Sequence, residues 1–306
     1  MFSYQSRRNF MKTMAGSAIG LAAFRNAFGQ SLTATKLADN FTLVSGAGSN
    51  VLVLSTPDGV LMVDGGMVEH SAELLKLISG QSDPPRVQVL FDTHWHLDHT
   101  GSNESAAAAG AKIVAHENTK LWMCAEIISM WEKRTYKPRP KEARPNNTFY
   151  TTGKMTFGKQ EIQYGYLGQA HTDGDIYVFF PGPNILMTGD VFSVGSYPIL
   201  DYTTGGWIGG LSDASKTLVG LTDPQTRVIP GKGPIQTRAD LQAQADMCAT
   251  MRTRFVEMMR KGMSAKDMLA AAPTKEFDAK WGDPQLFITN AYPGLWGHVR
   301  EIGGIV

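Results

Sequence analysis

The chain has 306 residues, 42% of them apolar, and a formal net charge of +1. That length accommodates one large domain with an appendage, and the apolar share is that of an ordinary globular protein. The near-neutral charge excludes a broad basic surface for nucleic acid, and two cysteines far apart, Cys124 and Cys248, exclude a disulfide framework.

The N-terminal stretch reads as an export signal. Ser6-Arg7-Arg8-Asn9-Phe10-Met11-Lys12 precedes a mild apolar run from Thr13 to Phe24, and Ala27-Phe28-Gly29 offers small residues for cleavage near Gln30. The paired arginines resemble a twin-arginine signal. A run so short and so rich in Gly, Ala and Ser is a poor transmembrane helix. The expected location is therefore the periplasm, with the twin-arginine export machinery as a partner and no stable membrane insertion after cleavage.

Beyond the signal, residues 41–45, 50–55 and 60–64 read as short strands separated by Gly, Ser, Asn and Pro. Glu69 to Ile78 has helical spacing, and Val87 to Phe91 is an apolar, partly β-branched run that reads as a buried strand. Directly after it comes Thr93-His94-Trp95-His96-Leu97-Asp98-His99, which holds three of the seven histidines. Neutral imidazole and carboxylate are the donors a zinc-type ion prefers. On an extended backbone His94 and His96 point to one side, while Asp98 and His99 fall where the loop can curl into a helix and face a second ion.

Farther on, Ser102 to Ala109 reads as helix, Lys112 to Ala115 as strand, Glu117 to Lys133 as helix, and a basic, proline-rich loop runs from Lys137 to Asn147. Residues 161–167, 176–180 and 184–188 read as strands. A long loop follows at 192–210, in which Tyr202 and Trp207 either line a substrate groove or anchor the loop. From Thr237 the pattern turns helical. Leu241, Met247, Met251, Phe255, Met258 and Met259 form a packing stripe, Ser264 to Asp267 starts a further helix that Pro273 ends, and Trp281 to Tyr292 forms a last one. Cys124 and Cys248 are expected in buried helix packing, His298 as a structural residue, and His70 and His116 at the surface.

The 93–99 run resembles the signature of the metallo-β-lactamase-fold superfamily, and four further segments support the resemblance in order. Val63-Asp64-Gly65-Gly66 is similar to its early Asp-Gly turn. Gly168 to Asp175 is similar to the segment carrying the third histidine, here His171. Thr188-Gly189-Asp190 is similar to that of the bridging carboxylate, and Ile229 to Pro234 to the last ligand loop. The finer resemblance is to exported hydrolases near the quinoprotein-relay and sulfur-oxidation types. It implies an α/β (α+β) fold, a four-layer αββα sandwich at residues 30–235 with a C-terminal helical extension at 236–306, behind a signal at 1–29.

The resemblance further implies a zinc hydrolase acting on a small carbonyl substrate such as a β-lactam, lactone or thioester. His94, His96 and His171 would hold a zinc whose bound water is acidified toward a pKa of about 7. Asp98 and His99 would serve a second site, with Asp190 bridging, so that one ion is held tightly and a second is conceivable. Asp98 also stands as a catalytic candidate that orients the attacking water, and Lys232 as a second catalytic candidate. Asp64 and Asp175 are expected to hold imidazoles by their free N–H groups or to stabilise turns.

Lys232 departs from the pattern, because the superfamily usually has histidine between these glycines. The second site is then weakly served by Asp98, His99 and Asp190 alone, or Lys232 ligates as a neutral amine, or its ammonium replaces the second ion. The last needs no deprotonation of a group whose free pKa is about 10.4. Two other functions fit the same residues: a mononuclear iron dioxygenase of the sulfur type, and a non-catalytic exported binding protein with a degraded second metal site.

Overall fold

The computed structural model describes residues 31–80, 86–300 and 303. The expected export signal lies outside the described residues. Strands β1 (Thr33–Ala38), β2 (Phe41–Ser45), β3 (Val51–Thr56), β4 (Gly59–Val63), β5 (Val87–Phe91) and β6 (Lys112–His116) form one sheet in chain order, closed by β9 (Asn147–Phe149). Beyond the β7–β8 hairpin (Ile127–Ser129 and Arg134–Tyr136), the strands β10 (Thr152–Phe157), β11 (Gln160–Tyr166), β12 (Ile176–Phe180), β13 (Ile185–Met187) and β14 (Arg227–Ile229) form a second sheet, also in chain order.

The facing sides of the two sheets share one apolar core, in which Phe41 meets Phe180 edge to face at 5.1 Å. Strands β3 and β4 are buried on both faces, which explains why they read as continuous apolar runs without alternation. Helix α1 (Ser71–Ser79) covers the first sheet with Leu74 and Ile78. Helices α5 (Ile208–Gly220), α6 (Arg238–Arg260) and α9 (Gln285–Gly297) cover the second through a cluster that includes Leu211, Met251 and Phe287. The result is the αββα sandwich with helices continuing to the C-terminal region. Among the described residues no helix is long and apolar enough to cross a membrane.

The parallel pairs β4–β5, β5–β6 and β13–β14 matter most for function. Their carboxyl ends point to one rim, and the loops leaving β4, β5, β13 and β14 carry Asp64, the 93–99 run, Asp190 and Lys232.

Several local expectations are corrected. The helix expected at 117–133 is α4 (Glu117–Cys124), and it gives way to the β7–β8 hairpin. Ile127 and Ile128 are β-branched, and Lys133 adopts φ 54° at the turn, a conformation no helix interior accepts. The expected last helix is two, α8 (Asp278–Trp281) and α9, broken at Gly282 with φ 76°. The Ser264 start is present: Ser264 and Asp267 form a reciprocal capping box on α7 (Ala265–Ala270).

Cys248 is buried in α6, but Cys124, at the end of α4, is exposed. His116 is buried rather than at the surface, because its ring stacks on Tyr166 at 3.8 Å and its Nε2 bonds Tyr150 O. Trp207 anchors its loop: it is buried and stacked on His298 at 4.2 Å. Neither it nor Tyr202 lines the cleft at the rim.

Candidate metal centre

After β5 the chain bends at residues 93–95 instead of staying extended and then turns into α2 (Leu97–Thr100), with His99 N donating to His96 O. Trp95 packs into a small apolar cluster with Met123 and Ile127, and its ring lies edge-on to that of His96 at 4.4 Å. His94, His96, His171 and Asp190 bring one donor atom each into a single group, all within 4.8 Å of one another. Asp98, His99 and Asp190 form a second such group, so Asp190 belongs to both. All six sequence-predicted ligands are thus gathered at the rim.

The neighbours of each ring decide which nitrogen faces inward. Thr93 Oγ1 donates its proton to Asp64, 2.9 Å away, so it accepts from His94 Nδ1 at 3.2 Å. His94 Nε2 is then a bare acceptor, buried and without a partner. His171 Nδ1 donates to Ile199 O at 2.8 Å, and His96 Nε2 donates to Asp201 Oδ2 at 3.2 Å. That leaves His171 Nε2 and His96 Nδ1 facing each other at 3.0 Å, two lone pairs with no proton between them. Three converging lone pairs call for a cation, and three imidazoles with a carboxylate are a donor set that suits zinc.

Electrostatics keep the His94 and His171 rings in the form a metal needs. Burial, together with the neighbouring imidazoles, holds His94 well below the usual histidine range. Burial and His96 push His171 down to about 4. Burial would raise the Asp201 carboxyl, but its bonds to His96, Thr204 and Trp131 bring it down to about 2, so it faces His96 as an anion.

The second group is differently charged. His99 Nδ1 donates to Asp64 Oδ2 at 2.8 Å, which turns Nε2 toward Asp190 Oδ1 at 3.2 Å. Burial works against a charge on His99, yet Asp64, Asp190 and Asp98 outweigh it and push the ring up to about 10. Lys232 Nζ lies 2.8 Å from Asp98 Oδ2 and 2.5 Å from Asp190 Oδ2. Burial of the Asp190 carboxyl is overcome by Lys232 and His99, which hold it well below the carboxylate range.

Asp64 fulfils its expected role, since it orients His99 and accepts from both Thr93 N and Thr93 Oγ1. It does so from φ 63°, a left-handed conformation that Asp tolerates better than most residues. Asp175 does not hold an imidazole. Its carboxylate takes the backbone N–H groups of His171 and Thr172 and the Thr172 hydroxyl, a turn-stabilising role.

Two positioning residues went unread in the sequence. Asp201 ties His96 to Trp131 of the hairpin and to Thr204. Asn50 ties down the Lys232 loop, donating from Nδ2 to Pro230 O at 2.9 Å and Gly233 O at 2.8 Å. Gly231 permits that loop to approach: a Cβ there would lie 2.0 Å from Asp190 Oδ1.

The centre opens into a cleft of about 870 Å³. The β7–β8 hairpin forms one wall with Trp131, Arg134 and Tyr136, and Met67, Ile199 and Pro234 add apolar surface. An ion held by the first group would therefore sit at the floor of a space large enough for a small organic molecule.

Residues 44–232 match the profile of the family described as the metallo-beta-lactamase superfamily. A metallo-beta-lactamase type 2 from Bacillus cereus is 24% identical over 200 residues, which span 65% of this chain and 72% of that protein. Among solved structures, a metallo-beta-lactamase from Pontibacter korlensis superposes with a TM-score of 0.58 at 23% identity, over 72% of this chain and 99% of its own. A stereoselective inverting sec-alkylsulfatase from Pseudomonas sp. superposes with a TM-score of 0.67 at 15% identity, over 88% of this chain and 50% of its own.

Proposed function

The chain belongs to the metallo-beta-lactamase superfamily, whose homologues are hydrolases, and from that premise we propose that it is a zinc-dependent, exported hydrolase of a small carbonyl substrate, a β-lactam, lactone or thioester. The observation that carries this reading is the trio of inward-facing lone pairs on His94, His96 and His171 at the floor of an open cleft. Zinc bound there would supply Lewis acidity toward a carbonyl oxygen and toward water.

The chain's own residues do the rest. Thr93, Asp201 and Ile199 O fix the three rings, each through the nitrogen that does not face the ion. Such outer partners typically account for about 10–100-fold in metal affinity or activity. Asp98 reaches the cleft and can orient a water molecule against the substrate carbonyl. The hairpin wall, with Trp131 and Tyr136, excludes bulk water from one side, and Arg134, whose guanidinium lies 4.6 Å above the Tyr136 ring, offers a cation to an anionic part of the substrate. Among the relatives, the name metallo-beta-lactamase supports the lactam bond within the proposed class.

Purified mature protein should contain zinc and hydrolyse at least one member of a panel of esters, thioesters, lactones and β-lactams. Chelation should stop turnover and added zinc restore it. Turnover indifferent to chelation would overturn the reading, and restoration by ferrous iron with oxygen uptake would point instead to a dioxygenase.

The export part of the proposal rests on Arg7 and Arg8, whose paired guanidinium groups are the recognised feature of a twin-arginine signal. Replacing both by lysine should trap precursor in the cytoplasm, as fractionation and immunoblotting would reveal. Unchanged export that depends on the general secretion machinery would count against it. Passage in the folded state suits an enzyme that takes up its metal before leaving the cytoplasm.

A further inference from the structure

We propose that the ammonium of Lys232 is the permanent cation of the second site, so that the protein holds one metal ion per chain. The inference rests on the zinc reading above and concerns only the group formed by Asp98, His99 and Asp190. Nζ touches every member of that group: Asp98 Oδ2 at 2.8 Å, Asp190 Oδ2 at 2.5 Å and His99 Nε2 at 3.5 Å. It therefore stands where an ion drawing on the two carboxylates would stand.

The placement is built by the backbone. Asn50 clamps the loop on both sides of Lys232 through Pro230 O and Gly233 O, and Asn50 N donates to Gly231 O at 2.7 Å. Gly231 N in turn donates to Gly189 O at 2.8 Å, which locks the loop to the segment carrying Asp190. With the loop held against Asp190, the short path from Lys232 Cα to the two carboxylates is fixed.

Charge makes the arrangement exclusive. Two carboxylates face the position, and the ammonium already neutralises one unit of their charge. A divalent ion at the same carboxylates would meet a positive charge within van der Waals distance, and the two cations repel each other. Removing the ammonium would return both carboxylates to a metal.

The test is a titration of metal-free full-length mature protein with cobalt(II), followed by visible absorption and native mass spectrometry, on the wild type and on Lys232→His and Lys232→Gln. The expected result is saturation at one equivalent in the wild type and at two in Lys232→His. Lys232→Gln should show a weaker second equivalent, since it removes the charge without supplying an imidazole. Circular dichroism establishes that each variant is folded, and if Lys232→His fails to fold, Lys232→Gln carries the comparison. Two tightly bound equivalents in the wild type would overturn the inference and leave the zinc reading standing. A single equivalent in the folded variants would also overturn it, because the lysine would then not be what excludes the ion. No binding in any form would overturn both.

Discussion

His171→Ala is expected to lose the tightly held ion and to lower hydrolysis by roughly three orders of magnitude, while the chain stays folded. The size follows from the several kcal/mol that a Lewis-acidic ion contributes to transition-state stabilisation, at about 1.4 kcal/mol per factor of ten. The fold should survive because the ring makes few structural bonds. Its loss leaves Ile199 O without a donor, a cost of about 1–3 kcal/mol, while Asp175 still holds the loop through the backbone of residues 171 and 172. His96→Ala should behave alike, since Asp201 retains Thr204 and Trp131 as donors. Metal analysis after gel filtration, together with turnover and circular dichroism, checks both variants. Retained metal and full activity in either would remove these histidines from the ligand set.

Phe287→Ala is expected to destabilise the protein by about 3–5 kcal/mol, the usual cost of emptying a buried aromatic position, and thereby to lower Tm by roughly 5–15 °C. Phe287 is fully buried in α9, stacked on Tyr197 at 5.0 Å and tilted against Phe255 of α6 at 5.6 Å. Its loss should also weaken metal retention, because Tyr197 opens the short stretch that carries Ile199 and Asp201. Calorimetry and a chelator competition on the same sample measure the two effects. An unchanged melting temperature would show that the tail does not brace this loop.

How much of this could be read from the sequence depends on range. His94, His96, Asp98 and His99 announce themselves because metal donors crowd one short segment, and His171, Asp190 and Lys232 because each lies in a glycine-marked loop of recognisable form. Asp201 and Asn50 gave no such sign. Each is an ordinary polar residue whose partner lies more than a hundred positions away, and only the tertiary fold creates the contact.

The missed strands have a local cause as well. β1 is largely exposed and lacks the apolar alternation by which a strand is recognised, while in β10 the alternation is carried by Met155 and Phe157 alone. β14 is three residues long, too short for any period. In the β7–β8 hairpin, apolar residues fell at spacings a helix would also satisfy, and the turn at Lys133 carries neither glycine nor asparagine to betray it.

The grip of the last helix on the loop has a consequence in time. All the metal donors have been synthesised once residue 190 is made, and Lys232 follows soon after. Yet the carbonyl of Ile199 and the carboxylate of Asp201, which aim His171 and His96, belong to a stretch secured from the far end of the chain: Asn290 Nδ2 donates to Leu200 O, and the Tyr197 hydroxyl donates to Asp278. α9 begins only at Gln285. A nascent chain therefore owns every ligand well before it can aim them. A prematurely ended chain would carry the full donor set without these two ties from the far end.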